Sequence, residues 1–175
     1  MSGSDLQHTQ AEHQRESLQN LAESKINRSG LQTGTRAPEF RLRGVAGEEL
    51  SLGSYRGRQL LLVFSDPTCG PCNELSPKLA RLHGRTPDIA VLMISRGGAV
   101  ANAKKVAEHH LTFPVGLQHR SEISRLYELF ATPCAYLIDE QGTIAAPPAV
   151  GCVAILSLLA GAAVLSLLRD GVEPT

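Results

Sequence analysis

The sequence has no surplus of charge: 17 Lys and Arg balance 17 Asp and Glu over 175 residues. Nothing therefore points to a nucleic-acid surface or to an acidic partner, and no nucleic-acid partner is expected. Cysteine is sparse. Four in a chain of this length do not make a disulfide scaffold, and a dithiol pair works in reducing and oxidising compartments alike, so cysteine usage leaves the compartment open. A second Cys-x-x-Cys is missing, which removes the commonest way to complete a zinc site, and no metal is expected. The first 33 residues lack a basic start followed by an apolar core, so they do not read as a secretory signal. They are polar, with Leu18, Leu21 and Lys25 spaced for a short amphipathic helix, and are expected to form a mobile arm. The rest, in a chain that is 42% hydrophobic, is enough for one domain with a real core.

What is present is concentrated in one stretch, Leu60-Leu61-Leu62-Val63-Phe64-Ser65-Asp66-Pro67-Thr68-Cys69-Gly70-Pro71-Cys72. An apolar run of strand length breaks at Asp66-Pro67, and a Cys-x-x-Cys follows at the head of a predicted helix. If Cys69 sits at that helix N-terminus, unpaired N–H groups and the helix dipole favour its thiolate, which is the attacking species. Cys69 is the expected nucleophile. Cys72 lies one turn further on, where its sulfur can reach that of Cys69 and resolve a mixed disulfide, and it is expected to be the more buried and less acidic of the two. A single Cys-x-x-Cys between a strand and a helix reads as a redox motif.

The flanking chain supplies a βαβ context. Alternation at Phe40, Leu42, Leu50 and Leu52 about Gly44 and Gly47 predicts a β-hairpin. After Cys72, Leu75, Leu79 and Leu82 share one helix face, with Pro77 expected to kink the helix and Glu74 and Lys78 placed for an i,i+4 pair. Residues 89–94 read as a buried parallel strand and 100–110 as its covering helix. Ile123, Leu126, Tyr127 and Phe130 make an apolar helical face, and strands at 135–138 and 143–146 are expected to pair across a turn at 139–142. A last helix spans about 152–168.

Cys69-Gly70-Pro71-Cys72 after an apolar strand, with Pro77 five residues on, resembles the thioredoxin superfamily. The segment Ala131-Thr132-Pro133-Cys134-Ala135-Tyr136-Leu137-Ile138-Asp139 is similar to the one that carries that superfamily's cis-proline, and Gly34-Thr35-Arg36-Ala37-Pro38-Glu39-Phe40 to the opening of its redoxin branch, of TlpA and MauD type. The resemblance covers roughly residues 34–170. It implies an α/β thioredoxin-like fold, a central mixed β-sheet flanked by helices with an added N-terminal β-hairpin, in one domain over residues 34–171. It also implies that Pro133 is cis and that the Thr132 backbone faces Cys69 and binds substrate. Thr68, Gly70 and Pro71 form the surrounding loop. Four positions depart from the family: Val63 stands where the central strand often carries a buried acid, Thr68 replaces the Trp before the first cysteine, and Asp66 and Pro67 replace other familiar residues. Asp66 and Glu74 are then the candidate proton relays for Cys72. Cys134 is expected in the core, since only one neighbour of Pro133 can face Cys69, and Cys152 is expected to be inert.

The last helix admits two readings. From residue 149 to 168 there is no charge, about the length of a membrane span, and apolar side chains lie on both sides. It either covers one face of the sheet or contacts a membrane or a subunit.

The expected function is thiol–disulfide exchange on a disulfide-containing protein client, with the Cys69–Cys72 disulfide as the redox centre, no other cofactor, and a separate electron donor. The Gly70-Pro71 dipeptide resembles that of reducing thioredoxins. The alternatives are a thiol peroxidase and a non-catalytic client-binding module. Peroxiredoxins carry Pro seven and Thr three residues before the reactive cysteine, where this chain has Leu62 and Asp66. Family resemblance suggests an extracytoplasmic, membrane-associated setting, while the absence of a visible signal leaves a cytoplasmic one open.

Overall fold

The computed structural model describes residues 14–15 and 30–171. The polar arm expected at 1–33 falls outside them except for 14–15 and 30–33. Two short strands, β1 (Arg41–Arg43) and β2 (Glu49–Ser51), pair antiparallel with Leu42 opposite Leu50. A 3₁₀ turn, Leu52–Tyr55, then leads into β3 (Gln59–Ser65), α1 (Gly70–His83), β4 (Ile89–Ser95), α2 (Ala99–Glu108), β5 (Val115–Leu117), α3 (Glu122–Leu126), β6 (Cys134–Ile138), β7 (Ala149–Val150) and α4 (Cys152–Asp170). The main sheet has the order β5-β4-β3-β6-β7 and is mixed. β3 runs parallel to β4 and antiparallel to β6. The hairpin seals the β5 edge: Val45 N–H donates to the Val115 carbonyl at 2.8 Å, and Gly116 lies where a Cβ would meet the Leu42 side chain.

The core follows from strand alternation. On one face Leu60, Leu62 and Phe64 of β3 meet Leu92, Ile94 and Tyr136, covered by Phe40, Leu52, Ile123 and Tyr127. Four of the seven Phe and Tyr residues gather here, with ring centroids of Phe40, Phe64 and Tyr136 at 6.2, 5.6 and 5.5 Å from Tyr127. On the other face Leu61 and Val63 pack with Val91 and Met93 under Leu75 and Leu79 of α1 and Ile155, Leu159 and Ala162 of α4. Thus α4 covers the sheet. It is also long and apolar enough to cross a membrane, and its outer residues Val153, Val164, Leu165, Leu167 and Leu168 are exposed.

Several local expectations need correction. The helical face drawn through Ile123, Leu126, Tyr127 and Phe130 is not one face, because α3 ends at Leu126 and Glu128 takes φ 54°. That left-handed residue turns Tyr127 and Leu129 inward and leaves Leu126 and Phe130 exposed. The expected pairing across the turn at 139–142 forms, through Asp139 N–H to the Thr143 carbonyl at 2.9 Å and Ala145 N–H to the Leu137 carbonyl at 2.8 Å, but 143–146 is not a regular strand. Ile144 makes one bridge to Ile138, while its outer side is taken by the N-terminal segment, through Gly34 N–H to the Ile144 carbonyl and Ile144 N–H to the Thr35 carbonyl, both at 2.8 Å. Pro147 and Pro148, which lack N–H groups, separate it from β7, and β7 is the segment that pairs with β6. Pro77 lies within an unbroken α1, and among the described residues Glu74 and Lys78 form no ion pair.

Candidate functional site

The site is built where β3 ends. Asp66 closes a turn with its own side chain: Oδ1 accepts from Thr68 N–H at 2.8 Å and from Thr68 Oγ1 at 2.7 Å. This is an Asx turn, the local chemistry that Asp before Pro favours. The turn delivers Cys69 to the N-cap of α1 in extended conformation, φ −84° and ψ 120°. Gly70 and Pro71 follow as the first exposed helical residues, and a proline there forfeits no intrahelical bond.

Cys69 is half-buried. Its sulfur accepts from the Cys72 N–H at 3.3 Å, filling the role that an oxygen has in an ordinary N-cap. The same sulfur lies 3.5 Å from the Thr132 carbonyl, to which it donates as a thiol. The Thr132–Pro133 bond is cis. Arg96, after β4, donates to the Phe130 carbonyl at 2.8 Å, and Gly151 N–H to the Pro133 carbonyl at 2.9 Å, so the loop carrying Thr132 is held from both sides.

Cys72 is buried directly behind, at 1% exposure. Burial pushes its thiol up to about 11, and the hydrogen bond with Cys69 adds to the shift. The Asp66 backbone and the Ser65 side chain act in the opposite direction. Cys134 is fully buried among the aromatic cluster side chains, and burial raises it to about 12. Cys152 opens α4 and is partly exposed.

The structure thus brings Cys69, Cys72, Thr132 and Pro133 together, with Thr68, Gly70 and Pro71 on the exposed rim. Glu74 lies on the exposed side of α1, and the Asp66 carboxylate is engaged by Thr68. Sequence reasoning overlooked Ser65. Alternation carries the helix-facing side of β3 from Leu61 through Val63 to Ser65, so its position under the Cys72 turn was available from the strand period.

Residues 33–146 match the model of the AhpC/TSA family. Among curated proteins the chain is 32% identical over 120 residues to the thioredoxin-like protein YneN of Bacillus subtilis, covering 66% of this chain and 70% of that one. It is 28% identical over 120 residues to the thiol-disulfide oxidoreductase ResA of Geobacillus thermodenitrificans, covering 67% and 69%. Among solved structures, the thioredoxin domain of a thiol-disulfide oxidoreductase from Bacteroides vulgatus superposes with a TM-score of 0.67 at 18% identity, over 76% of this chain and 99% of that one, a likeness of fold. The chain belongs to the AhpC/TSA family, within its thioredoxin-fold branch of TlpA-, DsbE- and MauD-like thiol–disulfide oxidoreductases.

Proposed function

We propose that this protein is a thiol–disulfide oxidoreductase that reduces disulfides in a protein client. The observation that carries the reading is the placement of the Cys69 sulfur, half-exposed between the Cys72 N–H and the Thr132 carbonyl, with Cys72 buried behind it. Cys69 attacks a client sulfur as the thiolate. The client's other sulfur leaves with the bonding electrons, and a mixed disulfide joins Cys69 to the client. Cys72 then attacks the Cys69 sulfur, the client departs reduced, and a Cys69–Cys72 disulfide remains for a separate electron donor to reduce. Thr132 and Pro133 bind the client's extended backbone beside Cys69, and Thr68, Gly70 and Pro71 border that contact. Asp66 and Glu74 are the nearby carboxylates available to the solvent side of proton exchange. The working domain is residues 34–171, the setting is extracytoplasmic, and the outer face of α4 is the surface for a membrane or subunit contact.

The peroxidase alternative has less support. Leu62, where a peroxidase carries proline, is fully buried within β3. The direction of electron flow is tested by equilibrating the Cys69–Cys72 couple with glutathione or dithiothreitol. A potential near about −270 mV, where thioredoxin lies, is expected for a reductant, and one of roughly −120 to −180 mV would instead make the protein an oxidant or isomerase. Failure to form the disulfide at all would favour a client-binding module without turnover.

A further inference from the structure

The loop that carries Thr132 has few bonds of its own. Among the described residues none of the Phe130, Ala131 and Thr132 N–H groups is hydrogen-bonded, and the Phe130 side chain is exposed. Downstream, the Gly151 N–H holds the Pro133 carbonyl; upstream, the anchor is Arg96, whose Nη2 donates to the Phe130 carbonyl at 2.8 Å. The backbone of Arg96 is fixed to the other half of the site. Its N–H donates to the Ser65 carbonyl at 3.1 Å, where β3 gives way to the loop before Cys69, and its own carbonyl accepts from Asn102 Nδ2 at 2.9 Å and from Ser95 Oγ at 3.2 Å. Gly97 follows at φ 84° and lies so near that loop that an added Cβ would stand 3.3 Å from Pro67 Cγ. One residue thus joins the loop presenting Cys69 to the loop presenting Thr132. Among the described residues no carboxylate pairs with its guanidinium and its buried Nε has no hydrogen-bond partner, so the bond to the Phe130 carbonyl is the polar contact this side chain makes there.

We infer that Arg96 is a positioning residue that holds Thr132 in place beside the Cys69 sulfur and so sets how tightly a protein client is bound. The inference rests on the oxidoreductase reading above, in which Thr132 and Pro133 hold the client's extended backbone. A guanidinium N–H on a carbonyl is a charge-assisted bond, and the planar fork gives it a fixed direction. Thr132 comes two residues after Phe130, a span of at most about 7 Å of extended chain. Release of the Phe130 carbonyl therefore moves the residue whose carbonyl lies 3.5 Å from the Cys69 sulfur. Arg96 does not take part in the exchange of sulfur bonds. The client backbone rests on Thr132 both before and during attack by Cys69, so Arg96 contributes binding that is the same in the ground state and the transition state. Loss of such binding raises KM and leaves kcat.

The test compares the full chain with three variants. Arg96→Met keeps the apolar stem and removes every donor, Arg96→Gln keeps a polar group on a side chain too short for the Phe130 carbonyl, and Arg96→Lys keeps a charged donor. Initial rates of insulin disulfide reduction are measured over a range of insulin concentrations with dithiothreitol as the electron donor. The reduced proteins are also mixed with 5,5′-dithiobis(2-nitrobenzoate), a small disulfide with no peptide backbone to bind. Arg96→Met and Arg96→Gln are each expected to raise KM for insulin roughly tenfold, the worth of a hydrogen bond from a charged group, with kcat within about twofold. Release of thionitrobenzoate should slow far less than that, and Arg96→Lys should recover most of the affinity. A parental KM in both donor-lacking variants, a fall in kcat at constant KM, or an equal slowing with insulin and the small disulfide would overturn the positioning role while leaving the oxidoreductase reading intact. A parent protein that reduces neither disulfide would overturn both.

Discussion

Tyr136 is the side chain on which the N-terminal segment and the core depend together. Its Oη accepts from Leu31 N–H at 2.9 Å and donates to the Tyr127 carbonyl at 2.7 Å, and the whole residue is inaccessible to solvent. Tyr136→Phe keeps the ring and its contact with Tyr127 but leaves a buried carbonyl and a half-buried N–H without partners. Each orphaned group costs about 1–3 kcal/mol, with the half-buried one at the lower end, so a loss of about 2–4 kcal/mol is expected. In a domain of this size each kcal/mol moves Tm by about 2–4 °C, which places the fall at roughly 4–16 °C. Urea unfolding of the variant should show a lower midpoint at an unchanged m value, since the exposed area on unfolding is the same. A loss under about 0.5 kcal/mol, the range of an ordinary surface substitution, would refute the claim that this hydroxyl ties the two segments.

Two further outcomes follow from the ionisable groups. His83 packs edge-on against Phe113 with its Nδ1 buried and without a hydrogen-bond partner among the described residues, and burial, with Arg58 adding to it, holds its pKa below the usual 6.5. The unfolded chain then binds more protons than the folded one just below pH 6.5, so stability is fully present above that pH and declines as pH falls through it; His83→Gln should flatten this part of a Tm-against-pH curve. In the native protein Cys134 should resist iodoacetamide over the time in which Cys152 is alkylated, as read by peptide mass spectrometry, because Cys134 is both buried and raised to about 12.

The parts legible in the sequence are those whose signal is local. Leu60 to Phe64 and the run from Ile89 are continuous apolar segments because both faces of the parallel pair are covered, and they fall where expected. The redox pair was legible because the strand, the turn-forming Asp66-Pro67 and the helix lie within a few residues. What could not be read locally depends on distant partners. The segment expected as a strand at 143–146 keeps its pairing towards β6 only over 143–145, and its outer edge is taken by segment 34–36, residues about a hundred positions away. The end of α3 is set by a left-handed Glu128, a residue with no strong preference for that conformation. Ser65 was passed over because a serine before Asp-Pro resembles the start of a loop, whereas strand alternation keeps it inside. Apolar residues on both sides of α4 are compatible with a covering helix and with a membrane or subunit contact, and the need to cover the sheet favours the first; packing shows that Ile155, Leu159 and Ala162 face inward, with the other apolar side left outside.

The division of labour between the two cysteines is tested most directly by trapping. Cys72→Ser and Cys69→Ser variants are each mixed with an oxidised protein disulfide, quenched with acid, and the adducts mapped by mass spectrometry. The account predicts a persistent mixed disulfide at Cys69 in the Cys72→Ser variant and none in the Cys69→Ser variant. A covalent adduct at Cys72 when Cys69 is absent, or no adduct at Cys69 when Cys72 is absent, would contradict it.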